Sequence, residues 1–151
     1  MDINGFQSEV KNDPLGRGYN GMSNEQLWES LQTLNRSKLV ALGSRTLLEW
    51  AAYNSRYQKL ENAANDAGAG DAVRSICKAA LKILDRADTQ LDLNYPEHMA
   101  LLDGLVASGV LSSDDKDSLV TASTVAISRA EEINCKDMDF NYMVYLKGLI
   151  A

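Results

Sequence analysis

Histidine occurs once in this chain, at His98, and proline and cysteine occur only twice each. Basic residues are also short, 15 against 21 acidic ones, which leaves a formal net charge of -6. Each shortage excludes a class of protein. Two cysteines, Cys77 and Cys135, are too few for a disulfide scaffold, and neither stands in a Cys-x-x-Cys motif. Cys77 falls within an apolar stripe and reads as a buried thiol, while its pairing with Cys135 stays open on sequence grounds. A single imidazole is a poor supply for catalytic triads and for most transition-metal sites. The acidic balance disfavours sequence-independent nucleic-acid binding, which depends on phosphate neutralisation. The start, Met1-Asp2-Ile3-Asn4-Gly5, has neither the basic nor the apolar region of a signal peptide. No stretch approaches the roughly 18 apolar residues of a membrane span, so no membrane partner is expected.

What the chain does have is helical periodicity. Its 151 residues suit one domain, and 45% hydrophobic with 24% charged residues are ordinary globular values. Ser23 and Gln26 have capping-box spacing before Leu27, Leu31 and Leu34, which predicts a helix over about 24–35. Trp50, Tyr53, Tyr57, Leu60 and Ala64 step by three and four, predicting a second over about 45–66. Ala67-Gly68-Ala69-Gly70 ends it. Val73, Ile76, Cys77, Ala80, Leu84, Ala87 and Leu91 then form a stripe over 71–92, so the two long helices read as an antiparallel hairpin with Leu84 in the core. Pro96 suits a helix start and Gly109 a helix end. Ser112 or Ser113 and then Ser128 open further helices. The last segment, 139–149, places Tyr142, Tyr145, Leu146 and Leu149 on one side. The stretch 120–127 is rich in β-branched residues but lacks clean alternation. The expected fold is therefore all-α, a single-domain bundle of five or six helices over residues 23–151.

Residues 1–22 read differently. Asn12 to Gly21 contains Pro14, Gly16, Gly18 and Gly21, which punctuate regular structure. Leu15, Tyr19 and Met22 want burial and Arg17 wants an acceptor. The segment is expected to be an irregular docking arm, with Leu15, Arg17, Tyr19 and Met22 as its partner-binding residues.

No constellation of catalytic groups stands out. His98 follows Pro96-Glu97 at a helix start with no nucleophile in a recognisable motif beside it. Asp114, Asp115 and Asp117 lack the alternate spacing, central glycine and closing glutamate of a calcium loop, and acidic residues in a first turn complement the helix dipole. Glu131 and Glu132 are adjacent on a helix and point in different directions, which suits capping better than paired acid–base work. Gly16-Arg17-Gly18 lacks the strand and the spacing of a phosphate loop. No metal, no cofactor and no enzymatic activity are expected. Trp28, Trp50, Tyr53 and Tyr57 belong either to the core or to a binding surface.

Two segments resemble a group of small proteins of tailed bacteriophages and prophages. Asp13-Pro14-Leu15-Gly16-Arg17-Gly18-Tyr19-Asn20-Gly21-Met22 is similar to the Asp-Pro-Leu-Gly-Arg-Gly-Tyr-x-Gly-Met opening of that group. Ala107 to Ser112, Asp114 to Leu119, and Ser128-Arg129-Ala130-Glu131-Glu132 resemble its C-terminal part. After Glu132 the chain departs from that pattern, with Ile133-Asn134-Cys135 in place of a Leu-Gly-Leu type ending. The resemblance implies a phage gene near virion morphogenesis genes and no catalytic residue. It suggests a non-enzymatic structural or assembly protein of the neck or tail. Such a protein would be assembled in the bacterial cytoplasm, carried in the virion, and bound to other phage subunits or to itself. The alternative is a small phage inhibitor of a host defence or nucleic-acid-processing protein, whose acidic surface occupies a nucleic-acid site.

Overall fold

The computed structural model describes residues 1–86 and 90–150. In chain order its first elements are α1 (Ile3–Asn12), α2 (Asn24–Gln32), β1 (Leu34–Leu39), β2 (Leu42–Gly43), α3 (Ser44–Ala52), α4 (Arg56–Asn65) and α5 (Asp71–Leu84). Then follow β3 (Gln90–Leu91), α6 (Pro96–Ala107), α7 (Ser113–Ala122), β4 (Thr124–Ser128), α8 (Arg129–Glu132) and α9 (Phe140–Gly148). The expectation of an all-α bundle is corrected: this is a mixed fold, with β1 paired to β4 and β2 paired to β3 in two small sheets. The second pair is antiparallel, with Leu42 opposite Leu91 and Gly43 opposite Gln90. The chain forms two compact units, Met1–Lys38 with Ala126–Ala151, and Leu39–Val125.

In the first unit the N-terminal residues are part of the core. Asp2 caps α1 by accepting from the Gly5 N–H at 2.9 Å, and the helix turns Phe6, Glu9 and Val10 inward. The expected irregular arm is therefore helical over Ile3–Asn12, and only the segment beyond it is irregular. Ser23 and Gln26 form the capping box on α2, which buries Leu27 and Leu31. These residues pack with Tyr19 from the turn between the helices, and with Ala130, Cys135, Met138, Met143 and Leu146 from the C-terminal part.

The second unit is built on α4 and α5, which pack together across the loop at 66–70. The helix expected over 45–66 is two helices, because Asn54 and Ser55 both adopt left-handed backbone (φ 54° and 56°). The helix expected over 71–92 ends at Leu84, and Leu91 lies in β3; Ala87 of the expected stripe lies outside the described residues. Leu84 is buried among Leu47, Leu60, Cys77, Leu102, Leu105 and Leu119. Gly104 lets α6 approach α5 closely, since a Cβ there would stand 3.0 Å from the Ile76 Cδ1. The two cysteines are free and buried, one in each unit.

Candidate functional site

The segment from Asp13 to Met22 closes into a hydrogen-bonded clasp. Asp13 ends α1 in left-handed backbone (φ 41°), and Gly16 and Gly18 take φ of 62° and 79°, values that favour glycine. The Asp13 carboxylate accepts from the Arg17 N–H at 2.8 Å and the Gly18 N–H at 2.6 Å. Desolvation pushes this carboxyl up, and those backbone donors outweigh it and hold it below its ordinary value. The Arg17 guanidinium donates to the Ser30 carbonyl at 2.9 Å and the Asn35 Oδ1 at 3.0 Å. It thereby satisfies a carbonyl left unpaired near the end of α2.

Tyr19 is fully buried, and its hydroxyl donates to the Glu9 Oε1 at 3.0 Å. Glu9 is buried too, and Arg129 neutralises it with Nε at 2.8 Å and a second contact from Nη2 to Oε2. Arg129 also pairs with Glu132, which takes a two-pronged contact from Arg36 at 2.9 and 3.1 Å. Arg36 and then Arg129 lower the Glu132 carboxyl to about 2. Glu131 pairs with Lys38 and Lys136. Glu131 and Glu132 are thus anchors for basic residues, not an acid–base pair. The Lys147 ammonium donates to the Met22 carbonyl at 2.8 Å. The segments around Tyr19 and Arg129, separated by more than a hundred residues of chain, meet on one buried carboxylate.

The four residues expected to contact a partner therefore divide. Tyr19 is core, Arg17 is half-buried and bonded to its own chain, and Met22 packs against the first unit's core. Leu15 alone stays outward, 37% exposed. Glu9 is a site residue that no sequence expectation includes. Its signal is a glutamate three residues after Phe6 and directly before Val10, on the inward face of a short helix; an acid in that position requires a buried partner.

Burial, with the hydrogen bond to Glu9 second, pushes the Tyr19 phenol up to about 12 from an ordinary 10. A phenol raised in the folded state stabilises fully below pH 10, and the contribution fades as pH rises through 12. Tyr19→Phe is expected to cost about 1.5–3 kcal/mol at neutral pH, as for hydrogen bonds to charged groups. It should also flatten the loss of stability on the alkaline side. Chemical denaturation followed across that pH range checks both effects.

The second unit holds another buried ion pair. Arg56 and Asp115 meet at 2.7 Å with side chains 4% and 5% exposed. The guanidinium also donates to the Trp50 carbonyl at 2.8 Å and the Ser118 hydroxyl at 3.1 Å, and lies 4.9 Å from the Trp50 ring centroid and 5.3 Å from that of Tyr53. Trp50 is half-buried with its indole N–H on the Ser118 hydroxyl at 2.9 Å, whereas Tyr53 is exposed. The Tyr57 hydroxyl donates to Asp85 at 2.7 Å. In the first unit Trp28 packs edge-on to Phe140 at 5.9 Å.

The structure splits the acidic cluster, with Asp115 facing inward and Asp114 and Asp117 exposed. The Nδ1 of His98 lies 2.9 Å from the Asp92 carbonyl oxygen. Its ring borders an apolar cavity of about 40 Å³ in the second unit, far below the ~300 Å³ of small ligand pockets. Among the described residues no three His, Cys, Asp or Glu side chains converge as metal ligands, and no helix is long and apolar enough to cross a membrane. The charged groups of the clasp, Asp13 and Arg17, are taken up by hydrogen-bond partners of the same chain, and Leu15 stands exposed between them. Comparison with known proteins finds no match to this chain among protein-family models, curated proteins or solved structures.

Proposed function

We propose that this protein is a non-enzymatic bacteriophage structural or assembly component, carried in the virion, that acts through protein–protein contacts made by the loop from Asp13 to Gly18. The observation that carries the reading is the exposure of Leu15 on a loop whose neighbours are fixed by internal hydrogen bonds. A rigid loop loses little conformational entropy on docking, which favours affinity. The resemblance to phage proteins supports the same reading, since Tyr19 of its N-terminal segment and Arg129 of its Ser128–Glu132 segment both bond to Glu9.

Mass spectrometry of purified virions tests the proposal. The chain should be recovered at a fixed ratio to the major structural proteins. Leu15→Arg should leave the melting temperature nearly unchanged, because exposed positions tolerate substitution within about 0.5 kcal/mol, while the variant is lost from particles. Virions that lack the wild-type protein contradict the reading, and normal incorporation of the variant removes the loop from it.

A further inference from the structure

Acidic residues outnumber basic ones in this chain, 21 to 15, so cations are readily matched. Among the described residues every lysine and arginine has a carboxylate or carbonyl partner except Lys11, Lys78, Lys82 and Arg86. Three of those four recur at four-residue intervals along and just beyond α5. Lys78 and Lys82 are exposed on the side of α5 away from its buried residues Cys77, Ala80 and Leu84. Complementing the helix dipole accounts for Lys82, in the last turn. It does not account for Lys78, one turn earlier.

The opposite pattern lies on α7. Asp114 and Asp117 are exposed and make no ion pair among the described residues, while Asp115 between them faces inward to Arg56. Asp114 stands in the first turn, where the dipole favours an acid, and Asp117 stands beyond it. Spacings of four and three residues place each pair of charges on neighbouring turns, about 5–6 Å apart. The two helices belong to the same unit, and both pack on α6.

We propose that the protein associates with a second copy of itself, Lys78 and Lys82 on α5 of one copy meeting Asp114 and Asp117 on α7 of the next. The inference rests on the assembly reading above but uses a different surface from the Leu15 loop. Such a contact joins two unlike patches, so a pair keeps one free aspartate face, on the copy that gives its lysines, and one free lysine face on the other copy. Association then continues until a ring closes or a filament grows. Exposed charge pairs are screened by salt, so the contact itself weakens as ionic strength rises.

Sedimentation velocity on the full chain reads this directly. The wild type should form oligomers at low salt that dissociate at high salt. Lys78→Glu with Lys82→Glu should weaken association about tenfold, and Asp114→Lys with Asp117→Lys should do the same, as expected for two modest surface pairs replaced by repulsion. Mixing the two variants should restore assembly, because each reversed face then meets its complement. A wild type that stays monomeric at low salt overturns the proposal, as does failure of the mixture to assemble. An oligonucleotide bound by the wild type and released by the lysine reversals, with self-association unchanged, assigns the stripe to phosphate and also overturns it. Absence of self-association in a protein still found in virions removes this contact and leaves the assembly reading standing.

Discussion

Arg129→Ala is expected to destabilise the first unit by about 3–5 kcal/mol, the usual cost of leaving a buried charge without its partner. Among the described residues Glu9, 3% exposed, would retain only the Tyr19 hydroxyl as donor. Breaking one half of the pair should therefore cost more than replacing both. Glu9→Leu combined with Arg129→Met should recover most of the loss, because apolar groups of similar volume remove the desolvation penalty along with the attraction. Urea denaturation of the single and double variants measures the difference. A loss below about 0.5 kcal/mol, typical of surface sites, would show that the pair is solvated.

The same logic applies to Arg56→Ala in the second unit, with a pH signature added. Burial raises the Asp115 carboxyl, but the Ser112 N–H and the Arg56 guanidinium outweigh it and hold the group well below its ordinary 3.8. A carboxyl lowered in the folded state contributes stability that is fully present above pH 3.8 and is lost as pH falls toward the folded-state value. Arg56→Ala should cost about 3–5 kcal/mol near neutral pH. Asp115→Asn should flatten the acid limb of the stability curve below about pH 4. Thermal melts at descending pH compare the two variants with the wild type; an acid limb unchanged in Asp115→Asn would place the acid sensitivity elsewhere.

Local signals in the sequence were legible where a single helix turn decides them. Ser23 with Gln26, a cap at Ser112 or Ser113 that the structure places at Ser112, Pro96 at a helix start and Gly109 at φ 73° all act within a few residues. The interior position of Leu84 follows from periodicity alone. The misses are places where a distant residue decides. The stripe from Trp50 to Ala64 runs unbroken on paper, yet the helix breaks at Asn54 and Ser55, where Arg56 turns in to a carboxylate on α7. β1 was unreadable because residues 34–38 are all exposed, so no alternation marks the strand.

The N-terminal segment shows the same limit at the level of function. Tyr19 and Arg17 have the residue types of interface anchors, and composition alone assigned them to a partner. The partners are Glu9, Ser30 and Asn35 of the same chain. Only the position of Leu15 agrees with the docking role, and that depends on the loop geometry fixed by Asp13, Gly16 and Gly18. A glutamate so close to a glycine-rich segment gave no hint that it would be matched by Arg129, because pairing across the chain leaves no local pattern.

The most direct test of this account is amide hydrogen exchange on the chain lacking residues 1–22. Removing Phe6, Val10, Tyr19 and Glu9 takes away much of the first unit's core and leaves Arg129 without its buried carboxylate. Protection should then collapse in α2 and α9, while α4 and α5 of the second unit keep theirs. Protection in α2 and α9 equal to that of the full chain would contradict it and show the N-terminal segment to be a dispensable arm.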